Sequence, residues 1–164
     1  MGEIETVPQV HARDLRRVLG AFVTGVTVVT TVDGRGAAYG LTANSFSSVS
    51  LEPPLILWSQ SLAAPSYPVF RDCERFAVNI LAEDQETISQ RFAGAAPDKF
   101  CGVQTSRGLG GIPLIAGCLA YLECIKVASY PGGDHAVFLG RVERMDRSAR
   151  RPLAFVDGRY LRLN

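Results

Sequence analysis

The sequence predicts a mostly β protein, built as a small antiparallel barrel with a few short peripheral helices. About six or seven short segments are rich in the β-branched and aromatic residues that strands favour. Several of these segments are joined by tight turn signals such as Asp33-Gly34 and Asp157-Gly158, which are typical of β-hairpins. Strands and helices do not alternate along the chain, so a doubly wound parallel sheet is disfavoured.

The first half of the chain is predicted to contain one helix followed by strands. Apolar residues at helical spacing between Asp14 and Phe22 predict a short amphipathic helix. The β-branched run 26–32 predicts the first strand. The return strand is expected to begin near Ala37 and to end before Pro53, because proline cannot donate a hydrogen bond to a sheet. The apolar run 55–58 predicts a further short strand.

The second half is predicted to add two helices and the remaining strands. Ser66 is expected to cap a helix that has Pro68 in its first turn, and Asp84 is expected to cap another that runs to Phe92. The Gly-, Pro- and Asp-rich segment 94–117 is expected to form a long loop, a feature that is often functional. The remaining strands are predicted at 75–81, 118–129, 135–145, 153–156 and 159–163, and the last two form a closing hairpin.

The length and charge of the chain restrict the classes of protein to which it can belong. A chain of 164 residues suits one domain, predicted over 13–164 after a short N-terminal extension, 1–12. The 17 basic and 16 acidic residues give a net charge of +1. This near balance offers no electrostatic basis for binding nucleic acid or an anionic membrane.

The four cysteines and two histidines show no spacing typical of a metal site. No CxxC or HxxxH motif is present, so no zinc site is expected. The N-terminal residues do not resemble a secretory signal, and no apolar run is long enough to span a bilayer. We therefore expect a cytoplasmic protein with reduced thiols.

The segment between Gly36 and Phe70 is unusually free of charge. It contains no lysine or arginine, Glu52 is its only acidic residue, and eight of its residues are serine or threonine. The hydroxyl groups could satisfy the backbone of turns and bulges, or they could cover the solvent face of a strand. They could also form the wall of a site for an uncharged polar ligand, because hydroxyls supply donors and acceptors without a fixed charge.

Other candidate groups carry weaker signals. His135 follows a Gly-Gly-Asp turn and is either an ordinary surface residue or a donor to a ligand at the rim of the barrel. Trp58 and Tyr160 are more typical of core aromatic residues. The Gly-rich run 108–111 lacks the preceding strand and following helix of a phosphate-binding loop, and no GxSxG nucleophile motif is present.

Several motifs, in order along the chain, resemble those of one family. They are GVTVVTT (25–31), GLTANSFSSVSLEPP (40–54), RFAVNIL (75–81), RFAG (91–94), DKF (98–100) and GDHAVFLGRV (133–142). Together they resemble the short-chain flavin reductases, the reductase components of two-component flavin-dependent monooxygenases. The resemblance extends from about Asp14 to Leu163.

This resemblance implies both a fold and an activity. The implied fold is a flavin-binding split barrel that works as a homodimer. The implied activity is NAD(P)H:flavin oxidoreduction, in which hydride transfer reduces FAD or FMN and the reduced flavin passes to a separate monooxygenase. The loop 59–68 has no basic residue committed to a terminal monophosphate, which favours FAD over FMN, and no arginine pair is evident for a 2′-phosphate, which favours NADH over NADPH. Two alternatives remain: a flavin carrier without reductase turnover, and a split-barrel oxidoreductase that acts on another acceptor such as a ferric complex.

The resemblance also implies roles for particular residues. The flavin ring and its ribityl chain are expected along Thr42, Ala43, Asn44, Ser45, Ser47 and Val49. The phosphate end is expected near Ser59, Gln60, Ser61 and Ser66. His135 is implied as the catalytic residue beside the nicotinamide, and Phe92 and Tyr160 are implied to line the pocket.

The loop 59–68 departs from the family pattern in lacking a basic residue. The flavin phosphate would then be bound by Ser61, Ser66 and the amides of a helix N-terminus, or by a cation from elsewhere, such as Arg71 or Arg91. Weak phosphate binding would suit a flavin that dissociates as a substrate.

Overall fold

The computed structural model describes residues 9–163 and has a mostly β architecture. The helices are α1 (Ala12–Gly20), α2 (Tyr67–Asp72) and α3 (Glu86–Ala93). The strands are β1 (Thr24–Gly25), β2 (Thr27–Val32), β3 (Ala38–Ala43), β4 (Ser47–Leu51), β5 (Pro54–Ser61), β6 (Arg75–Ile80), β7 (Thr105–Arg107), β8 (Pro113–Ile115), β9 (Ala120–Gly132), β10 (His135–Arg147), β11 (Leu153–Val156) and β12 (Arg159–Arg162). In the described part of the chain, no helix is long and apolar enough to cross a membrane.

A seven-stranded antiparallel sheet forms the body of the protein. Its strand order is β3-β2-β6-β9-β10-β5-β4, so β3 and β4 lie at its edges. The chain passes directly from β3 to β4, and the Ser45 hydroxyl in this connection bonds to the backbone of Ser59 in β5. The sheet therefore curls until its first edge lies beside strand β5. Smaller sheets, β1-β11-β12 and β7-β8, accompany it.

Two hydrophobic clusters pack on opposite faces of this sheet. Val28 and Val29 are neighbours on β2, and their side chains belong to different clusters because adjacent strand residues point to opposite faces. The Trp58 cluster comprises Val29, Ala43, Ile56, Trp58, Phe70, Phe76, Val78, Cys124, Ala136 and Phe138. The Phe92 cluster comprises Val26, Val28, Leu81, Phe92, Ile115, Cys118 and Leu153.

The mostly β, antiparallel fold is confirmed, and the structure corrects several of the predicted element boundaries. The long return strand is divided into β3 and β4, because the chain must leave one edge of the sheet and reach the other. Pro54 is the first residue of β5, a position at which a strand tolerates proline, and β5 continues past 58 to Ser61. Helix α1 begins and ends two residues before the predicted limits.

The helix caps and the long loop also differ from expectation. Ser66 precedes α2 as predicted, but its side chain makes no capping hydrogen bond. Asp84 does not cap α3, since Gln85 holds that position and Asp84 instead pairs with Arg150. The segment 94–117 is not loop throughout, because it contains the hairpin of β7 and β8. Residues 1–8 of the predicted N-terminal extension lie outside the described part of the chain, and the boundary at 12 stays a prediction.

Candidate active site

A cavity of about 680 Å³ lies against the edge strand β3. Three segments line it: 37–42 from β3 and its approach, 64–66 before α2, and 92–100 from the end of α3 onward. Its volume falls within the range of about 300–1,000 Å³ typical of small-molecule sites. Strand β3 pairs with β2 on one side only, so part of its backbone N–H and C=O groups has no partner strand.

Small side chains create the open space. Most of the lining residues outside β3 are small or are proline, among them Ala64, Pro65, Ala93, Gly94, Ala95, Ala96 and Pro97. The backbone at Gly40 lies directly against an aromatic ring, since a Cβ there would lie 2.7 Å from Cε1 of Phe92. Phe92 meets Phe100 edge to face, with 4.9 Å between the ring centroids. These two rings therefore bound the cavity on its α3 side.

A chain of hydroxyl groups holds α3 beside β3. The Thr42 hydroxyl donates to the carbonyl of Ser89 at 2.6 Å. The Ser89 hydroxyl lies 2.8 Å from the phenol oxygen of Tyr160 on β12. Thr42 lines the cavity, whereas Tyr160 is not among its lining residues. Tyr160 therefore contacts helix α3, which carries Phe92, and does not line the cavity.

The other hydroxyls of the uncharged segment have mixed roles. Ser45 both donates to and accepts from the backbone of Ser59, at 2.9 and 3.0 Å, and so joins β5 to the β3–β4 connection. Ser47 is exposed and donates to the neighbouring carbonyl of Ser48. Asn44 and Val49 are also exposed, and Ala43 is buried in the Trp58 cluster. Bonding to the backbone and exposure to solvent, two of the roles that the sequence left open, therefore both occur in this segment.

Gln60 and Ser66 connect the end of β5 to the cavity wall. The Gln60 amide is 2% exposed and donates to the Ser66 hydroxyl at 2.9 Å. Its carbonyl oxygen Oε1 is buried and has no hydrogen-bond partner among the described residues. The Ser66 hydroxyl accepts this bond and its own proton remains available, so Ser66 can donate to a bound molecule.

His135 lies one strand away from this wall, at the start of β10. It pairs across the strands with Ser61, the last residue of β5. Its Nδ1 lies 2.7 Å from Oδ1 of Asp134, and this hydrogen bond lowers the pKa of the Asp134 carboxyl below its usual value. The His135 side chain is 43% exposed, so its ring remains accessible.

The predicted cations do not line the cavity. Arg71 is exposed and pairs with Asp72 at 2.7 Å, and Arg91 is exposed and donates to the carbonyl of Cys101. Asp98 and Lys99 are the charged residues among those lining the cavity. Lys99 lies in the DKF motif, which was not predicted to be part of the site.

The structure thus brings together some of the predicted site residues. Thr42, Ser66 and Phe92 line the cavity, and Gln60 reaches it through Ser66. The other predicted residues are not among those that line the cavity: Ala43, Asn44, Ser45, Ser47, Val49, Ser59, Ser61, Arg91, His135 and Tyr160. Sequence reasoning missed Gly40, Lys99 and Phe100 as cavity residues. The glycine that opens GLTANS and the DKF motif were the available signals.

These features belong to a known class of protein. Residues 19–164 match the family model described as flavin reductase like domain, and the chain belongs to this family. The resemblance inferred from the motifs is therefore confirmed.

Individual relatives are similar along nearly the whole chain. An NADH-dependent flavin reductase of a Rhodococcus species is 42% identical over 163 residues, which cover 97% of this chain and 89% of that protein. The HsaB reductase subunit of a flavin-dependent monooxygenase from Mycobacterium tuberculosis is 40% identical, covering 93% of this chain and 82% of that protein. The NADH:FAD oxidoreductase SgcE6 of Streptomyces globisporus, solved with NAD and FAD fragments, is 43% identical with a TM-score of 0.88. It is matched over 96% of this chain and 98% of its own.

Proposed function

We propose that this protein is an NADH-dependent flavin reductase that supplies reduced flavin to a separate monooxygenase. The observation that carries the proposal is the cavity against edge strand β3, whose walls are mostly apolar or neutral and whose strand offers unpaired backbone groups. Such a wall suits a flat heteroaromatic ring that has donors and acceptors along its edge. The relatives named above are flavin reductases or the reductase subunit of a flavin-dependent monooxygenase, in agreement with this function.

The residues present fit a flavin on chemical grounds. Phe100, which packs edge to face on the buried Phe92 ring, supplies apolar surface, and the backbone of β3 supplies donors and acceptors for the ring edge. Ser66 supplies a hydroxyl, and the buried Gln60 Oε1 supplies an acceptor that lacks a partner. When bound together, nicotinamide and flavin supply the redox chemistry, a hydride transfer between their rings.

The protein's part is to bind and orient the two rings and to exclude water between them. Orientation of this kind can contribute a large share of the rate of a reaction between two bound groups. Gly40 permits the Phe92 ring to pack directly against the backbone of β3, because a side chain at this position would collide with the ring. Of the candidate residues, His135 is the one with an accessible ring near the end of β5, where it can donate to the nicotinamide carboxamide or ribose.

Further details extend the same proposal. We infer that the curled sheet is the flavin-binding split barrel and that the active form is a homodimer in the cytoplasm. Large apolar side chains exposed on this chain, such as Leu51 at 92% and Met145 at 74%, support an association between copies. FAD is the favoured flavin and NADH the favoured nicotinamide nucleotide, with FMN and NADPH as the competing pair.

A steady-state assay that crosses FAD, FMN and riboflavin with NADH and NADPH tests this function. NADH oxidation that depends on added flavin is the expected result. A protein that binds flavin but oxidises no NADH would be a carrier, and a protein that reduces a ferric complex faster than any flavin would be the other oxidoreductase. Either result would overturn the proposed function.

The role of His135 has its own test. We expect His135→Ala to raise the KM for NADH by about three- to tenfold, the size of one lost hydrogen bond, while the flavin Kd changes less. Asp134→Asn is a suitable companion variant, because it keeps the imidazole and removes only its carboxylate neighbour. Unchanged NADH kinetics in His135→Ala would remove this residue from the nicotinamide site.

A further inference from the structure

Lys99 is the basic residue among those that line the cavity, and its surroundings differ from those of a surface lysine. It lies on the segment that follows α3, and its Nζ donates to the carbonyl of Phe92 at 2.8 Å. Burial lowers the pKa of its ammonium group, because removal from water disfavours the charged form. Between residues 9 and 163, no carboxylate lies within 4.0 Å of this ammonium group.

The neighbouring aspartate does not neutralise this charge. Oδ1 of Asp98 accepts hydrogen bonds from the backbone N–H groups of Phe100 and Cys101, at 3.0 and 3.2 Å. The carboxylate is thus used to hold the turn in which Lys99 lies. Two of the three N–H donors of the ammonium group remain free after its bond to Phe92.

A partly buried cation without a carboxylate partner is a suitable position for a bound anion, because no negative side chain already neutralises its charge. The cavity is otherwise suited to a neutral ring, and the loop 59–68 carries no basic residue. Both nucleotides of the proposed reaction carry phosphate groups. The phosphate is the part of these ligands for which the other lining residues supply no positive charge. Lys99 supplies that charge.

We propose that Lys99, and not Arg71 or Arg91, binds a phosphate group of the nucleotide in the cavity. This assignment rests on the proposed function, because it requires that the cavity binds a flavin or a nicotinamide nucleotide. Its alternative is a purely structural lysine that satisfies a carbonyl at the C-terminal end of α3.

The chain contains a matched control for that alternative. Its other lysine, Lys126, also binds carbonyls at the C-terminal end of a helix, donating to Phe70 at 2.9 Å and to Arg71 at 2.5 Å. Lys126 does not line the cavity. The two lysines therefore share a structural role and differ in their access to a ligand.

The test measures the Kd of riboflavin and FMN by fluorescence titration in Lys99→Gln, Lys99→Arg and Lys126→Gln. Glutamine retains a donor for the Phe92 carbonyl and removes the charge. We expect Lys99→Gln to weaken FMN by about 10- to 100-fold with little change for riboflavin, which lacks phosphate. Lys99→Arg should retain most of the preference for FMN, and Lys126→Gln should leave it intact.

A parallel arm uses riboflavin as the acceptor and measures the KM for NADH in the same variants. A rise in this KM with unchanged FMN binding would assign Lys99 to the phosphate of the nicotinamide nucleotide, which also supports the proposal. Equal weakening of riboflavin and FMN, or no change in either arm, would overturn it. If the unmodified protein binds no flavin, the proposed function itself fails, and the assignment of Lys99 fails with it.

Discussion

The Trp58 and Phe92 clusters bury their central rings equally, yet one is sealed and the other borders a cavity. Trp58 and Phe92 are both 0% exposed. Three aromatic rings surround Trp58, with centroids 5.1 Å away at Phe70, 5.8 Å at Phe76 and 4.9 Å at Phe138. Phe92 instead has the bare backbone of Gly40 on one side, and the small residues that follow it leave open space.

This difference suggests that the two faces of the sheet have different roles, one in stability and the other in ligand binding. Large interlocking side chains maximise buried area and dispersion, which stabilise the fold. The glycine and alanine residues that follow Phe92 bury less area and leave space for a ligand. We therefore expect substitutions in the Trp58 cluster to change stability, and substitutions beside Phe92 to change affinity.

The largest expected effect is on stability, in the Trp58 cluster. Trp58→Ala should lower the free energy of unfolding by about 3–5 kcal/mol, because the surrounding strands cannot fill the cavity it leaves. Trp58→Phe, which retains an aromatic ring, should cost much less. Urea denaturation gives both values. A loss below about 1 kcal/mol for the alanine variant would contradict the description of this cluster as sealed and closely packed.

Gly40→Ala should have its main effect on the ligand site. The added Cβ would meet the Phe92 ring at 2.7 Å, so the ring must move into the cavity at a cost of about 1–3 kcal/mol. We expect flavin affinity to fall by roughly tenfold, the equivalent of about 1.4 kcal/mol. Gly25→Ala is the control, since nothing lies within 4 Å of a Cβ at that position. Equal flavin affinity in the two variants would show that Phe92 does not bound the site.

A smaller effect is expected from the hydroxyl pair that joins β12 to α3. Tyr160→Phe and Ser89→Ala each remove one partner of the 2.8 Å contact, and each should cost about 0.5–1.5 kcal/mol. In a double-mutant cycle the two losses should not add, because both variants break the same bond. Strictly additive losses would mean that the C-terminal hairpin does not support α3 through this contact.

The cysteines provide the mildest comparison, because each cluster contains one. Burial raises the pKa of both Cys124, in the Trp58 cluster, and Cys118, in the Phe92 cluster, from 9.0 to about 12. Both thiols should stay protonated at pH 8 and react with an aromatic disulfide only after unfolding, whereas the exposed Cys101 should react at once. Because the folded-state pKa is raised, the associated stability is present below pH 9 and is lost as the pH rises toward 12.

Rapid labelling of Cys118 with continued protection of Cys124 would sharpen the comparison. It would indicate that the Phe92 cluster opens more readily than the Trp58 cluster. Labelling of both thiols at the rate of Cys101 would instead contradict their burial.

Most of the strands could be predicted because their patterns are local. The β-branched run of β2 and the Asp157-Gly158 turn between β11 and β12 each specify their own backbone conformation. The break at Ser45 could not be predicted in this way. It depends on the curl of the whole sheet, which brings the connection between β3 and β4 beside β5.

The site was predicted in part through motifs and missed where it depends on distant contacts. The motif around Thr42 and the family match at Phe92 correctly indicated two of the segments that line the cavity. No local pattern indicates that Lys99, which lies more than fifty residues beyond β3, would share a cavity with that strand. Likewise, Tyr160 has a typical core pattern, and only the fold reveals that its hydroxyl meets Ser89.

The scarcity of lysine gives this protein an intrinsic chemical reporter. Of its 17 basic residues, only Lys99 and Lys126 are lysines, and both are attached to helix carbonyls. Burial lowers the pKa of Lys99, which increases the fraction of reactive free amine at that position. Acylating reagents used for surface coupling or isotope tagging would therefore modify the cavity itself. The extent of acylation at Lys99 would serve as a footprint of occupancy, readable by mass spectrometry on the unmodified chain.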